Sequence, residues 1–446
     1  MAAPMMHSAP GIRASIRPLA FLAAPMLIGQ AGQVLLQITD TIMVGRLGSV
    51  ALASTALAGN FIMFAMYIAY GAIGAVSPRV AQAFGAKHFE SAGDTARAGM
   101  LLAACVGVLI AIGLSAVVPV LDRLGQPPEV VVATRPYLII LAWSMPAALL
   151  SLVLGQIAES LNQPWPVVWF MAGALIINTL LNFLLIFGLF GFPELGLLGA
   201  AWATLIARWV QGIGLLVWVA RARIMQAFGI FKRRVDFALF KRLWHDGLPI
   251  AAQDVLEGGS FAVGTLMMGW VGTTAMAANQ VALSIASLAW MFPIALATAA
   301  SVRVAQDMGS GNKTAARHSG IAAILLGTGL MAGCAIFYIA AGHWLASLFT
   351  TDPEVAAMAG FLVVIAGFYQ VSDAIQSVSL GSLRGLIDNR VPMIANAICY
   401  WVLSIPTVYF LAFTMGMGAA GMWLGYLPWM VLTGIFFLWR FLRKTR

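Results

Sequence analysis

Charge is scarce in this sequence. Asp, Glu, Lys and Arg together supply 9% of its 446 residues. That is too little to cover a water-exposed surface, and it excludes an ordinary soluble domain. Cysteine is scarcer still. Cys105, Cys334 and Cys399 fall in separate apolar runs, which rules out a disulfide framework and leaves them as small packing residues. The five histidines, His7, His88, His245, His318 and His343, lie near the ends of apolar runs or in loops, and H-E-x-x-H does not occur. The constellations of intramembrane catalysis are therefore missing; the chain is read as no enzyme and as needing no cofactor. Dyad-alternating segments are also lacking, which excludes a barrel. The segment from Met1 to Pro18 is short and lacks an A-x-A pattern, and the first apolar run outlasts a signal h-region, so no cleaved signal peptide is expected.

What is abundant is apolar: 61% of the residues are hydrophobic. Runs of roughly 20 residues recur along the whole length, each able to cross a hydrocarbon core of about 30 Å as a helix. Twelve such runs are read, at 18–42, 52–80, 96–120, 134–158, 167–190, 195–220, 247–272, 277–306, 319–345, 355–384, 392–414 and 418–440. Helices are required because lipid leaves each segment to satisfy its own backbone. Of 25 Lys and Arg, only Arg46, Arg123 and Arg135 fall in loops on the side opposite the N-terminus, and Arg208 falls inside the sixth run. The positive-inside rule then places both termini in the cytoplasm. The net charge of +9 is accordingly a topology signal, supported by anionic membrane lipid, and nucleic acid is discounted as a partner.

The chain is duplicated. Residues 40–85 align without gaps onto 264–309, an offset of 224. Met43 matches Met267, Gly45 matches Gly269, Gly48 matches Gly272, and the block from Arg79 to Gly85 matches Arg303 to Gly309. Pro25 and Pro249 are related by the same offset, which gives both halves the same potential kink. Each half holds six runs, an even number, so both halves insert in the same direction. The fold expected is an all-α membrane protein with twelve transmembrane helices in two pseudo-symmetric six-helix lobes around a central cavity. Its parts are a cytoplasmic N-terminal segment (1–17), an N-lobe (18–220), a basic cytoplasmic linker (221–246), a C-lobe (247–440) and a cytoplasmic tail (441–446). An internal pair of lobes that rocks about one site is a transporter plan, complete in a monomer, whereas channels usually assemble subunits.

Four acids lie in or at the end of apolar runs: Asp40, Asp254, Glu257 and Asp373. A lone carboxylate near the bilayer centre costs roughly 2.5–3.5 kcal/mol on insertion scales and marks an ion, proton or substrate site. Glu257 and Asp373 fall near mid-depth on antiparallel runs and are placed to meet. Asp254 shares a face with Glu257 at i, i+3 but is shallower. Asp40 lies close to the outer interface. Asn178 and Asn182 are one turn apart on one face of the fifth run, within reach of Thr204 in the sixth. On spacing alone these three are helix-packing hydrogen bonders, although their oxygens are also hard ligands suited to a small cation. Phe261, Met267, Trp290 and Tyr369 would suit an amphipathic organic cation through face contacts.

Four segments bring a family into view: QITDTIMVGRLG, LEGGSF, AANQVALSIASLAWMFP and FYQVSDAIQSVSLGSLRG. They resemble the NorM branch of the multidrug and toxic compound extrusion (MATE) family, and the likeness spans essentially the whole chain. It implies export of small organic cations or amphipathic drugs across a bacterial inner membrane, driven by inward Na⁺ or H⁺. It implies a C-lobe coupling site at Glu257 and Asp373 with Tyr369 beside it, Asp254 standing where an apolar residue is usual. It implies an N-lobe cation site at Asp40, Asn178, Asn182 and Thr204, and a drug surface near Gln280. Na⁺ would sit at Glu257 and Asp373 or at Asp40, Asn178 and Asn182. Asn279 stands where His is frequent. The alternative is a flippase for a lipid-linked precursor, which would line its cavity with several basic groups.

Overall fold

The computed structural model describes residues 11–230 and 234–446; of the expected cytoplasmic segment and linker, 1–10 and 231–233 lie outside the described residues. Among the described residues twelve helices are long. They are α1 (Ile12–Gly45), α2 (Ser49–Gly85), α3 (Phe89–Leu124), α4 (Pro128–Ser160), α5 (Trp165–Phe187) and α6 (Leu197–Arg221). After the linker come α7 (Phe237–Val271), α8 (Thr273–Gly309), α9 (Lys313–Ser347), α10 (Pro353–Gly385), α11 (Arg390–Thr414) and α12 (Gly418–Lys444).

Eleven of these are long and apolar enough to cross a membrane, which makes the chain a multi-pass membrane protein. The helix outside that count is α7, at 35 residues one of the longest. Its inner stretch carries Gln253, Asp254 and Glu257 beside Gly258 and Gly259, and these polar and small groups dilute its apolar character. The polarity that weakens its lipid signal is the polarity that makes it a site helix.

The chain forms two compact units. The N-unit comprises 28–84 and 88–251; the C-unit comprises 1–27, 85–87 and 252–446. The unit boundaries do not fall at the basic linker but inside α1, between Leu27 and Ile28, and inside α7, between Ala251 and Ala252. These positions are themselves 224 residues apart, and each lies two residues beyond a proline within its helix, Pro25 or Pro249. A mid-helix proline removes one N–H and disturbs the preceding turn, which loosens the helix locally.

Packing repeats with the duplication. In the N-unit α4 lies against α2, α3 and α6; in the C-unit the matching α10 lies against α8, α9 and α12. Small residues let these helices approach closely, as lipid-embedded helices require. A Cβ on Gly71 of α2 would come within 2.1 Å of the Ala251 Cα of α7, so only glycine fits that crossing. The N-unit core is built on Leu102, Leu149, Leu154, Ile157 and Leu215 with a set of alanines. The C-unit core centres on Met331, Leu362, Val363, Tyr400 and Tyr426. Gly48 (φ 105°) and Gly272 (φ 146°), partners in the repeat, precede α2 and α8 in a backbone region that L side chains rarely adopt.

The linker begins as part of the N-unit. Met225, Phe228 and Ile230 are buried in its core. Arg97 of α3, itself 7% exposed, donates to the carbonyls of Ile230 and Arg234, both at 2.7 Å, and pairs with Asp94 at 2.7 Å.

Candidate functional site

Each unit holds candidate acids within its long helices, with named hydrogen-bond partners. In the N-unit, Asn182 Nδ2 donates to Asp40 Oδ1 at 2.5 Å and to Asn178 Oδ1 at 3.1 Å. Asn178 Nδ2 in turn donates to Thr204 Oγ1 at 3.3 Å. The i, i+4 spacing of the two asparagines on α5 puts both amides on the face that meets α6, and both are fully buried. Asn182 Oδ1 accepts no hydrogen bond within the described residues, so one hard oxygen beside Asp40 stays open. These are interhelical hydrogen bonds of the kind the spacing favours, and they join all four residues in one chain of contacts ending on a carboxylate.

One turn beyond Thr204 on α6 stands Arg208. Its Nη1 donates to Ser144 Oγ at 2.8 Å. Sequence reading had noted Arg208 only as the basic residue inside a span.

In the C-unit, Glu257 of α7 accepts from two residues of α11: Asn396 Nδ2 at 3.1 Å on one oxygen and the Tyr400 hydroxyl at 3.3 Å on the other. Gln376 Nε2 of α10 donates to that hydroxyl at 2.9 Å. Asp373, also on α10, accepts from Ser377 Oγ at 3.0 Å. It stands three residues before Gln376, whose bond to the Tyr400 hydroxyl joins α10 to the partners of Glu257. Asp254 faces the other way in charge terms: Arg384 Nη2 lies 2.9 Å from its Oδ1. Arg384, counted by position among the cytoplasmic residues, sits in the last turn of α10 and acts as that acid's counterion.

The remaining candidates are dispersed. Phe261 stacks on Tyr426 at 5.2 Å and tilts against Tyr400 at 5.9 Å, so an aromatic face adjoins the Glu257 partner. The Tyr369 hydroxyl donates to the Trp423 carbonyl and its ring packs edge-on to that indole. Trp423 Nε1 donates to Asn279 Oδ1 at 2.9 Å. Met267 is buried in the C-unit core, Gln280 is exposed on α8, and Trp290 is about half exposed.

Asn396, Tyr400 and Gln376 escaped the sequence reading. The signal was present: Asn396 is the one amide side chain in the eleventh apolar run. α11 is also π-helical over Ile398–Ser404 and Phe410–Thr414, flanking Pro406. A widened turn of this kind often marks a functional position, and here it carries Tyr400.

Comparison with known proteins follows the same division. The MatE family model matches residues 25–184 and again 249–410, beginning at the two repeat-related prolines. The chain belongs to the MatE family. Its curated relatives include the probable multidrug resistance protein NorM of Rhizobium meliloti, 35% identical over 433 residues, covering 96% of this chain and 93% of that protein. The multidrug resistance protein NorM of Burkholderia vietnamiensis is 34% identical, covering 95% and 93%. Among solved structures, a variant of the Vibrio cholerae MATE transporter VcmN superposes with a TM-score of 0.89 at 20% identity over 97% of both chains. The eukaryotic MATE transporter AtDTX14 gives 0.87 at 23% identity over 98% of this chain and 99% of that one. These likenesses establish the fold of a MatE membrane protein.

Proposed function

We propose that this chain is a cation-coupled antiporter that exports cationic or amphipathic organic compounds across the bacterial inner membrane, with both termini in the cytoplasm. The observation that carries the reading is the pair Glu257 and Asp373: two carboxylates on the long helices α7 and α10, whose hydrogen-bond donors among the described residues are all neutral. Such groups are tolerable in lipid when an exchangeable cation occupies them. The multidrug resistance names of the relatives support the direction and the cargo.

Coupling needs two ligands that favour different states of the protein. Glu257 and Asp373 attract an organic cation, and the exposed ring of Phe261, backed by the buried rings of Tyr400 and Tyr426, offers it an aromatic face. A small ion, Na⁺ or H⁺, claims the same carboxylates and releases that cargo. Asp40 with Asn178, Asn182 and Thr204 forms the second acid cluster of the mechanism. A lipid-linked precursor flippase would need free basic groups. The two guanidiniums nearest the acid clusters are instead held, Arg208 by Ser144 and Arg384 by Asp254.

The test is efflux of ethidium from proteoliposomes with Na⁺ and pH gradients imposed separately. Efflux that follows one of the two gradients supports antiport. Efflux indifferent to both removes it.

A further inference from the structure

The first turns of α7 have two faces. One is docked on the N-unit: Leu239 and Phe240 pack against its core and Leu243 is fully buried in it. On the same side Asp246 pairs with Arg79 of α2, and a Cβ on Gly247 would come within 2.2 Å of the Ala72 carbonyl oxygen. The other face is Phe237, Lys241, Trp244 and Leu248, spaced i, i+4, i+7 and i+11 along one side of the helix. That face is open. Phe237 is 73% exposed, Leu248 45% and Trp244 37%, and Lys241 and its neighbour Arg242 are exposed as well.

Depth selects the partner. The seventh apolar run begins at 247, so Trp244 and Lys241 stand about 4.5 and 9 Å ahead of it along the helix. The headgroup zone adds roughly 5–8 Å to each side of the hydrocarbon. In that register Leu248 meets acyl chains, Trp244 sits at the level where indole rings concentrate, and the Lys241 and Arg242 side chains reach the phosphates. The rest of the linker carries the same sign of charge. Arg221, Arg223 and Arg234 are exposed, and Asp236, the exposed acid of this stretch, has an oxygen bound to the Ala238 N–H at 2.8 Å. The Arg97 clamp on the Ile230 and Arg234 carbonyls holds this basic stretch against the N-unit just ahead of α7.

The repeat supplies a contrast. At the offset of 224 the same four positions of α1 are Arg13, Arg17, Ala20 and Ala24, and all four are exposed. Lys241 has a cation as its counterpart, Arg17, but Trp244 and Leu248 have alanines. A requirement for cytoplasmic charge alone is met by both faces; the α7 face adds an aromatic and an aliphatic anchor beside its cations.

We propose that the outward face of α7's first turns binds an anionic phospholipid of the cytoplasmic leaflet, with Lys241 and Arg242 on its phosphate and Trp244 and Leu248 against the start of its acyl chains. The proposal uses the cytoplasmic placement of the linker and is independent of antiport, since lipid retention is measured without transport.

Native mass spectrometry of the full-length protein in detergent, titrated with phosphatidylglycerol or phosphatidylcholine, tests it. Wild type should retain phosphatidylglycerol in preference to phosphatidylcholine. Each cation near an anionic surface contributes about fivefold in affinity. Lys241→Gln with Arg242→Gln should therefore weaken phosphatidylglycerol binding by roughly 25-fold and leave phosphatidylcholine binding unchanged. Trp244→Ala should weaken both lipids. Arg13→Gln with Arg17→Gln removes the same charge from the repeat-related face of α1 and should stay close to wild type. Equal retention of the two lipids by wild type, full retention in the α7 double variant, or equal losses in the two double variants overturns the proposal. Thermal unfolding of wild type gives a measure that needs no variant. Its midpoint should rise with phosphatidylglycerol and not with inorganic phosphate, and the rise should shrink as salt is added. Equal rises with lipid and with phosphate, or a rise that salt does not touch, overturns the assignment to a charged lipid headgroup.

Discussion

The Tyr400 hydroxyl donates to Glu257 at 3.3 Å while accepting the Gln376 amide at 2.9 Å. A donor aimed at a carboxylate favours its charged form, and a hydrogen bond to a charged group is worth about 1.5–3 kcal/mol. Tyr400→Phe removes that donor and leaves the ring. Glu257 should then hold its coupling ion more tightly, so the half-saturating ion concentration falls by roughly tenfold and ion release slows efflux. Proteoliposome efflux titrated with Na⁺ and with pH reads both effects. An unchanged ion dependence would show that Tyr400 only fills space.

Glu257→Gln and Asp373→Asn keep shape and hydrogen-bonding capacity while removing charge. Each should abolish gradient-driven ethidium efflux, leaving expression and the thermal unfolding midpoint close to wild type. The contrast matters, because a helix-packing role would move stability before transport. Driven efflux that survives in both variants would dismiss these acids as the coupling groups.

Much of this was legible in the sequence, for physical reasons. Apolar run length fixes spanning helices because lipid supplies no hydrogen bonds, and mid-run acids stand out because their cost is high. Glu257 and Asp373 stand out in this way, whereas Asp40, Asn178, Asn182 and Thr204 are set together as a site by the family resemblance. What escaped depends on the partner helix. Whether Asn396 faces Glu257 or lipid follows from the phase of α11, which its π turns reset. Arg384 looks cytoplasmic by position, yet its side chain reaches Asp254. The unit boundaries after Leu27 and Ala251 leave no mark in composition, and only the repeated prolines hint at them.

Arg97 ties the linker to α3: its guanidinium meets the Ile230 and Arg234 carbonyls and Asp94, each at 2.7 Å. Arg97→Ala leaves two carbonyls without their cationic donor and should lower stability by about 1–3 kcal/mol for each buried group left unpaired. The unfolding midpoint should drop, and limited proteolysis should cut between 222 and 236 before elsewhere. Arg97→Lys should recover little, since one ammonium does not reproduce a fork of donors. Wild-type protease resistance in Arg97→Ala would refute the clamp.

Asp388, between α10 and α11, is tied to the last turns of α12. Burial alone would raise its carboxyl pKa, but hydrogen bonds from Arg440 at 2.6 and 3.1 Å and the Lys444 ammonium at 3.0 Å hold it below the usual aspartate range. A folded pKa depressed below the unfolded one contributes stability above the ordinary value of about 3.9, and that contribution is lost as pH falls through the folded value. Asp388→Asn should therefore unfold at a lower temperature than wild type at neutral pH, with the gap closing as the pH drops below about 4. A gap that is constant with pH would assign the loss to packing instead of charge.

Gly48 and Gly272 test the duplication at the level of the backbone. Each precedes the second helix of its half, with φ 105° and ψ 179° at Gly48 and φ 146° and ψ 167° at Gly272. This region is essentially restricted to glycine, and holding another residue there costs about 1–3 kcal/mol. No atom stands within 4 Å of a Cβ built at either position, so alanine would suffer from conformation and not from crowding. Gly48→Ala and Gly272→Ala should each lower the unfolding midpoint by comparable amounts, and the double variant by their sum, because the two turns lie in different units and share no partner. Gly45→Ala, in the helical last position of α1 and equally uncrowded, is the control and should be neutral or mildly stabilising. Equal losses in all three variants would mean that space, and not the left-handed turn, selected glycine here.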